Sequence, residues 1–346
     1  MIGILPDLHL KENLSYADFI SDARVSEKKE ILDFIVKTFE PCDTIIMIGD
    51  QLDGINNLSS VIRDFVAFVE RFKGKQLYIL AGNHELKADG TTALDFLKEI
   101  DKPDWHIITN EILTANIQGR TIVFCPYFTK SQLKTLNNIR GTEELLDRVG
   151  EGDILFIHNA ISDIKVTEQT QTNIFNGIVL PRQILEKKFK LIVCGHIHRP
   201  QVVGNTVITG SVFTSDINEI QKKIWTLDPI SMSYKSYDLP GRPIMSDRNK
   251  GIKELMGSFQ LYPKNAIIKM TIDNKDLKDQ IEEIKAYLRE NVDAYILLEQ
   301  YPNEREKIHF EDGMLQLNTE DLLGIYAKTK KIDINKLFSA WELIKN

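Results

Sequence analysis

The chain has 346 residues, 42% hydrophobic and 27% charged, which is the balance of a folded globular protein rather than a disordered one. Its length exceeds what one ordinary core holds, so two or more modules are expected. The formal charge of −7 excludes nucleic-acid binding by bulk basicity, though not through a local patch or a bound metal.

In chain order, β-branched apolar runs predict strands at Ile2–Leu5, Thr44–Ile48, Gln76–Leu80, Thr121–Phe124, Asp153–Ile157 and Leu191–Cys194. Helical patterns lie between them at Glu30–Phe39, Leu58–Phe72 and Ala93–Ile100. Within the second, Val61, Ile62, Phe65, Val66, Phe68 and Val69 follow a period near 3.6, as on a helix packed against a sheet. Wholly apolar strands are buried on both faces, which predicts a layered α/β domain. After Arg199 short strands are expected at Gln201–Val203, Thr206–Ile208, Ile224–Leu227 and Ser233–Tyr237, forming a meander along one side. The segment 238–243, with two prolines around a glycine, marks a boundary. Beyond it strand Ala266–Ile272, helix Lys275–Glu290 and strand Ala294–Leu298 read as a small βαβ unit. A helical tail with Leu322, Leu323, Tyr326, Leu337, Phe338 and Trp341 follows.

No apolar run is long enough to span a bilayer, and the N-terminus lacks a basic stretch before an apolar core. Cys42, Cys125 and Cys194 are too few and scattered for a disulfide framework or a zinc knuckle. A cytoplasmic location is expected, in the host cytoplasm if the chain is phage-encoded.

The chemistry lies in polar clusters placed directly after predicted strands. They are Asp7-Leu8-His9, Gly49-Asp50-Gln51-Leu52-Asp53, Gly82-Asn83-His84-Glu85, His158-Asn159 and Gly195-His196-Ile197-His198. Ligands of open α/β sheets collect beyond the carboxyl ends of the strands, so these clusters are expected to converge on one rim. Asp7, His9, Asp50, Asn83, His158, His196 and His198 provide donors for two ions, with one carboxylate left to bridge. Mixed imidazole and oxygen donors without thiolate suit manganese, iron or zinc rather than calcium. The Asp-x-His and His-x-His spacings put both donors on one face if the segment is extended. Any single cluster is most simply a surface turn; their joint, ordered occurrence at strand ends is what argues for a site.

This ordered set resembles the calcineurin-like metallophosphoesterase superfamily across residues 7 to 198. The resemblance implies a four-layer αββα core at 1–240, a small αβ capping domain at 241–305 and C-terminal helices at 306–346. It implies one ion on Asp7, His9, Asp50 and His198 and another on Asp50, Asn83, His158 and His196, with Mn2+ the expected metal. His84 would be the general acid at the scissile phosphate, with Asp53 orienting it. Gly54 and Leu10 stand where protein phosphatases carry Arg and Gly, which argues against that branch. The opening Asp7-Leu8-His9-Leu10 is instead similar to DNA-repair nucleases of the SbcD kind, including phage recombination subunits, although Lys11 replaces their Gly.

Those nucleases imply DNA as substrate and an SbcC-like coiled-coil ABC-type ATPase as partner, docked on the C-terminal helices, with a homodimer left open. The rival within the superfamily is a phosphodiesterase or phosphatase acting on small nucleotides. A scaffold that has lost its metals is disfavoured, because every expected ligand is present. Two basic stretches, Lys130, Lys134 and Arg140, then Arg182, Lys187, Lys188 and Lys190, would track a phosphate backbone if they flank the rim.

Overall fold

The computed structural model describes residues 1–14, 21–87, 89–100, 102–129, 142–164, 178–213, 219, 221–248, 250–259, 261–263, 265–291 and 294–299. Its centre is a pair of six-stranded sheets. The first runs β14-β13-β1-β2-β3-β4, from strands β1 (Ile2–Leu5), β2 (Thr44–Ile48), β3 (Gln76–Leu80), β4 (Trp105–Ile108), β13 (Lys223–Asp228) and β14 (Ser233–Asp238). The second runs β11-β12-β10-β7-β6-β5. Its strands are β5 (Leu113–Ile117), β6 (Arg120–Cys125), β7 (Gly152–Ile157), β10 (Phe189–Cys194), β11 (Gln201–Val203) and β12 (Thr206–Ile208), while β8 (Ala160–Ile161) and β9 (Val179–Leu180) form a separate parallel pair. β1 to β4 run parallel in the first sheet, as do β6, β7, β10 and β12 in the second, so their carboxyl ends share a rim within each sheet.

Side-chain alternation sorts each strand between two cores. Ile2, Ile4, Ile46 and Ile48 meet Phe124, Phe156, Leu191 and Val193 between the sheets. Their neighbours Leu5, Ile45, Met47 and Ile79 turn outward onto α1 (Ser21–Thr38) and α2 (Ser59–Glu70). On the far side Val123, Leu155, Ile192 and Cys194 pack with Leu145, Leu146 and Leu185 of α3 (Thr142–Val149) and α4 (Arg182–Lys188). The result is the expected αββα layering.

The strands after Arg199 do not form one meander. The β11–β12 hairpin extends the second sheet beside β10, whereas the β13–β14 hairpin extends the first beside β1. Each sheet has an edge whose N–H and C=O groups need pairing, and one hairpin serves each. The helix expected at Ala93–Ile100 is reduced to a 3-10 turn at Asp95–Glu99. There the main chain is held in loop form by Ala93 N donating to Glu85 O at 2.8 Å and Thr92 N to Asp95 Oδ2 at 2.7 Å.

Beyond the segment 238–243 a separate three-stranded parallel sheet joins β15 (Ile244–Arg248), β16 (Ile267–Ile272) and β17 (Ala294–Glu299). Helices α5 (Ile252–Phe259) and α6 (Ile281–Asn291) make the crossovers. The β15–α5 half escaped the sequence reading, because Met245-Ser-Asp-Arg248 has no apolar alternation. Met1–Gln300 form one compact unit. The expected helices at 306–346 lie outside the described residues. Among the described residues no helix is long and apolar enough to cross a membrane.

Candidate metal centre

The five clusters meet where the two rims face each other. The β1 and β2 loops are stitched by His9 N to Asp50 O and Leu10 N to Gln51 O, each 2.9 Å. Between the sheets, Tyr127 N donates to Ala81 O at 3.0 Å and His158 Nδ1 to Ile48 O. Asp7 Oδ2 accepts from His196 N at 2.9 Å, joining the first cluster to the last.

Two sets of donor atoms result. In the first, Asp7, His9, Asp50 and His198 bring their ligand atoms within 4.8 Å of one another. His9 Nε2 and His198 Nε2 are 3.0 Å apart, and Asp7 Oδ2 is 3.4 Å from the latter. In the second, His158 Nε2 lies 3.3 Å from both Asp50 Oδ2 and Asn83 Oδ1, and His196 Nδ1 lies 2.7 Å from Asn83 Oδ1. Asp50 belongs to both sets.

The expected extended geometry is not how neighbouring donors converge. His9, Asp50 and His196 adopt left-handed φ of 48°, 49° and 70°. Such a conformation is uncommon for residues with a Cβ and costs of order 1–3 kcal/mol each. It folds the chain back at the donor instead of running past it. Glycine is required at two points beside these bends. Gly49 has φ 93°, and a side chain there would strike the His158 ring. A Cβ at Gly82 would collide with the Asp50 carboxylate.

His84 and Asp53 lie against the first set. His84 N donates to Asp50 Oδ1 at 2.8 Å, and its ring meets the His9 ring edge-on at 4.6 Å. Asp53 does hold His84, but through its main-chain carbonyl, 3.1 Å from His84 Nδ1. Its carboxylate faces His9 Nδ1 at 3.4 Å and Lys11 Nζ at 3.3 Å. Asp53 therefore meets His84 as expected, with its main-chain carbonyl as the contact atom, while its carboxylate faces His9 and Lys11. Lys11, unlike a glycine, can reach that carboxylate.

Charge in this region is densely packed. Asp7, Asp50, Glu85 and Glu219 are each under 5% exposed. Burial alone would raise Asp50, but His158, then His84 and His9, hold it well below the usual carboxylate range. Burial disfavours charge on His158 and His198 too. Asp50 and Asp7 nevertheless raise the first to about 9, and Asp7 and Glu219 raise the second to about 10. His196 is pushed down to about 3 by burial and by the neighbouring His158.

These residues fit a pair of divalent cations. Asp7 Oδ1 is buried without a hydrogen-bond partner, and two imidazole Nε2 atoms point at each other across 3.0 Å. Neither arrangement is stable without a proton or a cation between the donors. His158 and His198 each commit Nδ1 to an oxygen, leaving Nε2 toward the shared space.

Three residues of the site carry no role in the sequence reading. Glu85 spans the motifs: its carboxylate accepts from the main-chain N–H groups of Asp50, Gln51, Leu52 and Gly82. Burial and the Asp50 charge push it up to about 8 against those donors. The Tyr127 ring packs 5.5 Å from His196 and 6.2 Å from His158. Glu219 is bonded to His198. Glu85 was visible as a motif member, whereas Tyr127 and Glu219 belong to no local pattern.

The second basic stretch does not flank this rim. Arg182, Lys188 and Lys190 lie at or before the amino end of β10, opposite the motif at its carboxyl end. They pair with Glu186 at 2.7 Å, Asp147 at 3.9 Å and Asp153 at 2.7 Å. The stretch Lys130, Lys134 and Arg140 lies outside the described residues.

A family model described as calcineurin-like phosphoesterase matches residues 1–200. Among curated proteins none matches. Among solved structures, a protein described as a novel archaeal phosphodiesterase is similar at 14% identity and a TM-score of 0.36, over 69% of this chain and 99% of that one. With the two-sheet core and the clustered donors in place, the chain belongs to the calcineurin-like phosphoesterase family of metal-dependent phosphoester hydrolases.

Proposed function

We propose that the chain is a two-metal-dependent DNA exo- or endonuclease subunit of the SbcD kind, working with an SbcC-like coiled-coil ABC-type ATPase in recombination or repair. The observation that carries this reading is the parallel module of β15, β16 and β17 appended to a complete phosphoesterase core. SbcD-like nucleases carry their αβ cap at that point in the chain. The Asp7-Leu8-His9-Leu10 opening supports the same branch.

In this reading Asp7, His9, Asp50 and His198 hold one ion, and Asp50, Asn83, His158 and His196 the other. When bound, the pair of divalent ions, read as Mn2+, supplies Lewis-acid charge at the phosphate and acidifies water. The protein's part is orientation and proton delivery. His84 donates Nδ1–H to the Asp53 carbonyl, which fixes its ring and turns Nε2 away from that loop. In its imidazolium form Nε2 gives a proton to the departing 3′ or 5′ oxygen. Asp53 and Glu219 hold the rings of His9 and His198, and Glu85 keeps the two loops carrying Asp50 and Asn83 in register.

The deciding experiment incubates linear duplex DNA with the protein and Mn2+, alone and with the ATPase partner, beside a panel of cyclic and linear nucleotides. Cleavage of DNA is expected. Efficient turnover of small phosphodiesters with DNA left intact would favour the nucleotide phosphodiesterase instead.

A further inference from the structure

One carboxylate from outside the five motifs reaches the donor set. Glu219, 4% exposed, accepts from His198 Nδ1 through Oε1. Its Oε2 accepts from Ser211 Oγ at 3.2 Å and from Lys222 Nζ. Lys222 also donates to Ser211 Oγ at 2.6 Å and to the Phe213 carbonyl at 3.1 Å. Ser211 in turn bridges to Asp7 along the main chain, and Val212 N donates to Asp7 O at 2.8 Å. One stretch of chain thus supports two members of the first donor set together, Asp7 from its backbone and His198 from its carboxylate.

We propose that Glu219 is a positioning residue for His198 and makes the ion held by His9 and His198 the tighter of the two. This rests on the reading that His198 is a ligand. By accepting from Nδ1–H, Glu219 selects the tautomer whose Nε2 lone pair faces Asp7 and His9. It also fixes the ring orientation, which an imidazole without a partner at Nδ1 would lack. Lys222 offsets the charge of Glu219 from the side away from His198, so the carboxylate stays ionised within the protein. The two donor sets differ in this respect. In the first, His198 is hydrogen-bonded to the Glu219 carboxylate, and His9 Nδ1 faces the Asp53 carboxylate at 3.4 Å without a hydrogen bond. In the second, His158 is backed by the neutral carbonyl of Ile48, and His196 Nε2 is buried without a partner. A carboxylate makes an imidazole a better donor than a carbonyl does, so the first set binds the more strongly.

The test titrates the metal-free full-length chain with Mn2+, following binding by calorimetry and by electron paramagnetic resonance. In the wild type one ion is expected to bind first, as a six-line mononuclear spectrum, before the coupled pair appears. Glu219→Gln is expected to weaken that first ion by about 10–100-fold and leave the other unchanged. Glu219→Asp retains the charge and is expected to recover part of the loss; it also supplies the reading if the amide variant does not fold. His198→Ala is the reference and should lose the same ion altogether. Wild-type affinity for both ions in Glu219→Gln, with one ion lost in His198→Ala, would overturn the positioning role. Retention of both ions in His198→Ala would instead overturn the ligand assignment beneath it.

Discussion

His84 and His198 are both motif histidines, but their rings face different partners, and the difference predicts how their loss should divide. His84 touches a carbonyl and the edge of His9, whereas His198 points Nε2 into the first donor set. His84→Ala should therefore reduce phosphodiester cleavage by at least about 100-fold, in the range of general acid–base effects, while both ions remain by elemental analysis. His198→Ala should lose metal and cleavage together; the opposite pattern would reverse the two roles. The raised values of His158 and His198 set a pH dependence. In the metal-free chain they stabilise the fold fully below about pH 6.5, and that contribution drains as pH rises through about 9 and about 10. Cations compete for the same nitrogen atoms, so affinity rises as the protons leave. The gap in melting temperature between Mn2+-loaded and metal-free protein should widen from roughly pH 6.5 to roughly pH 8.5, and a constant gap would contradict it. The donors were legible in sequence because five motifs recur at strand ends. Glu219 was not, since its contact with His198 spans 21 residues and depends on how the chain returns beneath Asp7.

At the scale of elements, an aromatic stack ties the two sheets together in the inter-sheet layer. Phe124 stacks on Tyr78 at 4.7 Å and on Phe156 at 5.7 Å, linking β6 to β3 and β7. Phe124→Ala should cost about 3–5 kcal/mol of stability, as large-to-small changes in full cores do, read as a shift in the denaturant midpoint. A cost below about 1 kcal/mol would mean that the layer repacks freely. The inner strands were legible because apolar residues fill both faces, and β1, β2 and β3 run over the predicted residues. The edge strands were harder to read. β4 is mostly half-buried and β5 alternates half-buried with exposed positions, and nothing local tells which sheet a hairpin will extend. Cys42, Cys125 and Cys194 are all buried, and burial pushes Cys125 up to about 12. None of them should react with a thiol reagent at pH 8 until the protein unfolds.

Across the whole molecule, motif residues far apart in sequence become one site because two parallel sheets end at facing rims. The phosphoesterase core explains hydrolysis without reference to the tail. If the proposed ATPase partner docks on the tail, deleting residues after about position 318 should leave the core folded and able to bind metal but abolish that association in a pull-down; aggregation would show that the tail belongs to the core. The central claim is that Asp50 bridges two neighbouring cations. Anomalous X-ray diffraction from crystals grown with Mn2+ tests it most directly. Two peaks about 3.5–4 Å apart are expected, with Asp50 between them and His198 and His158 on opposite sides. A single peak, or two peaks with no shared carboxylate, would contradict it.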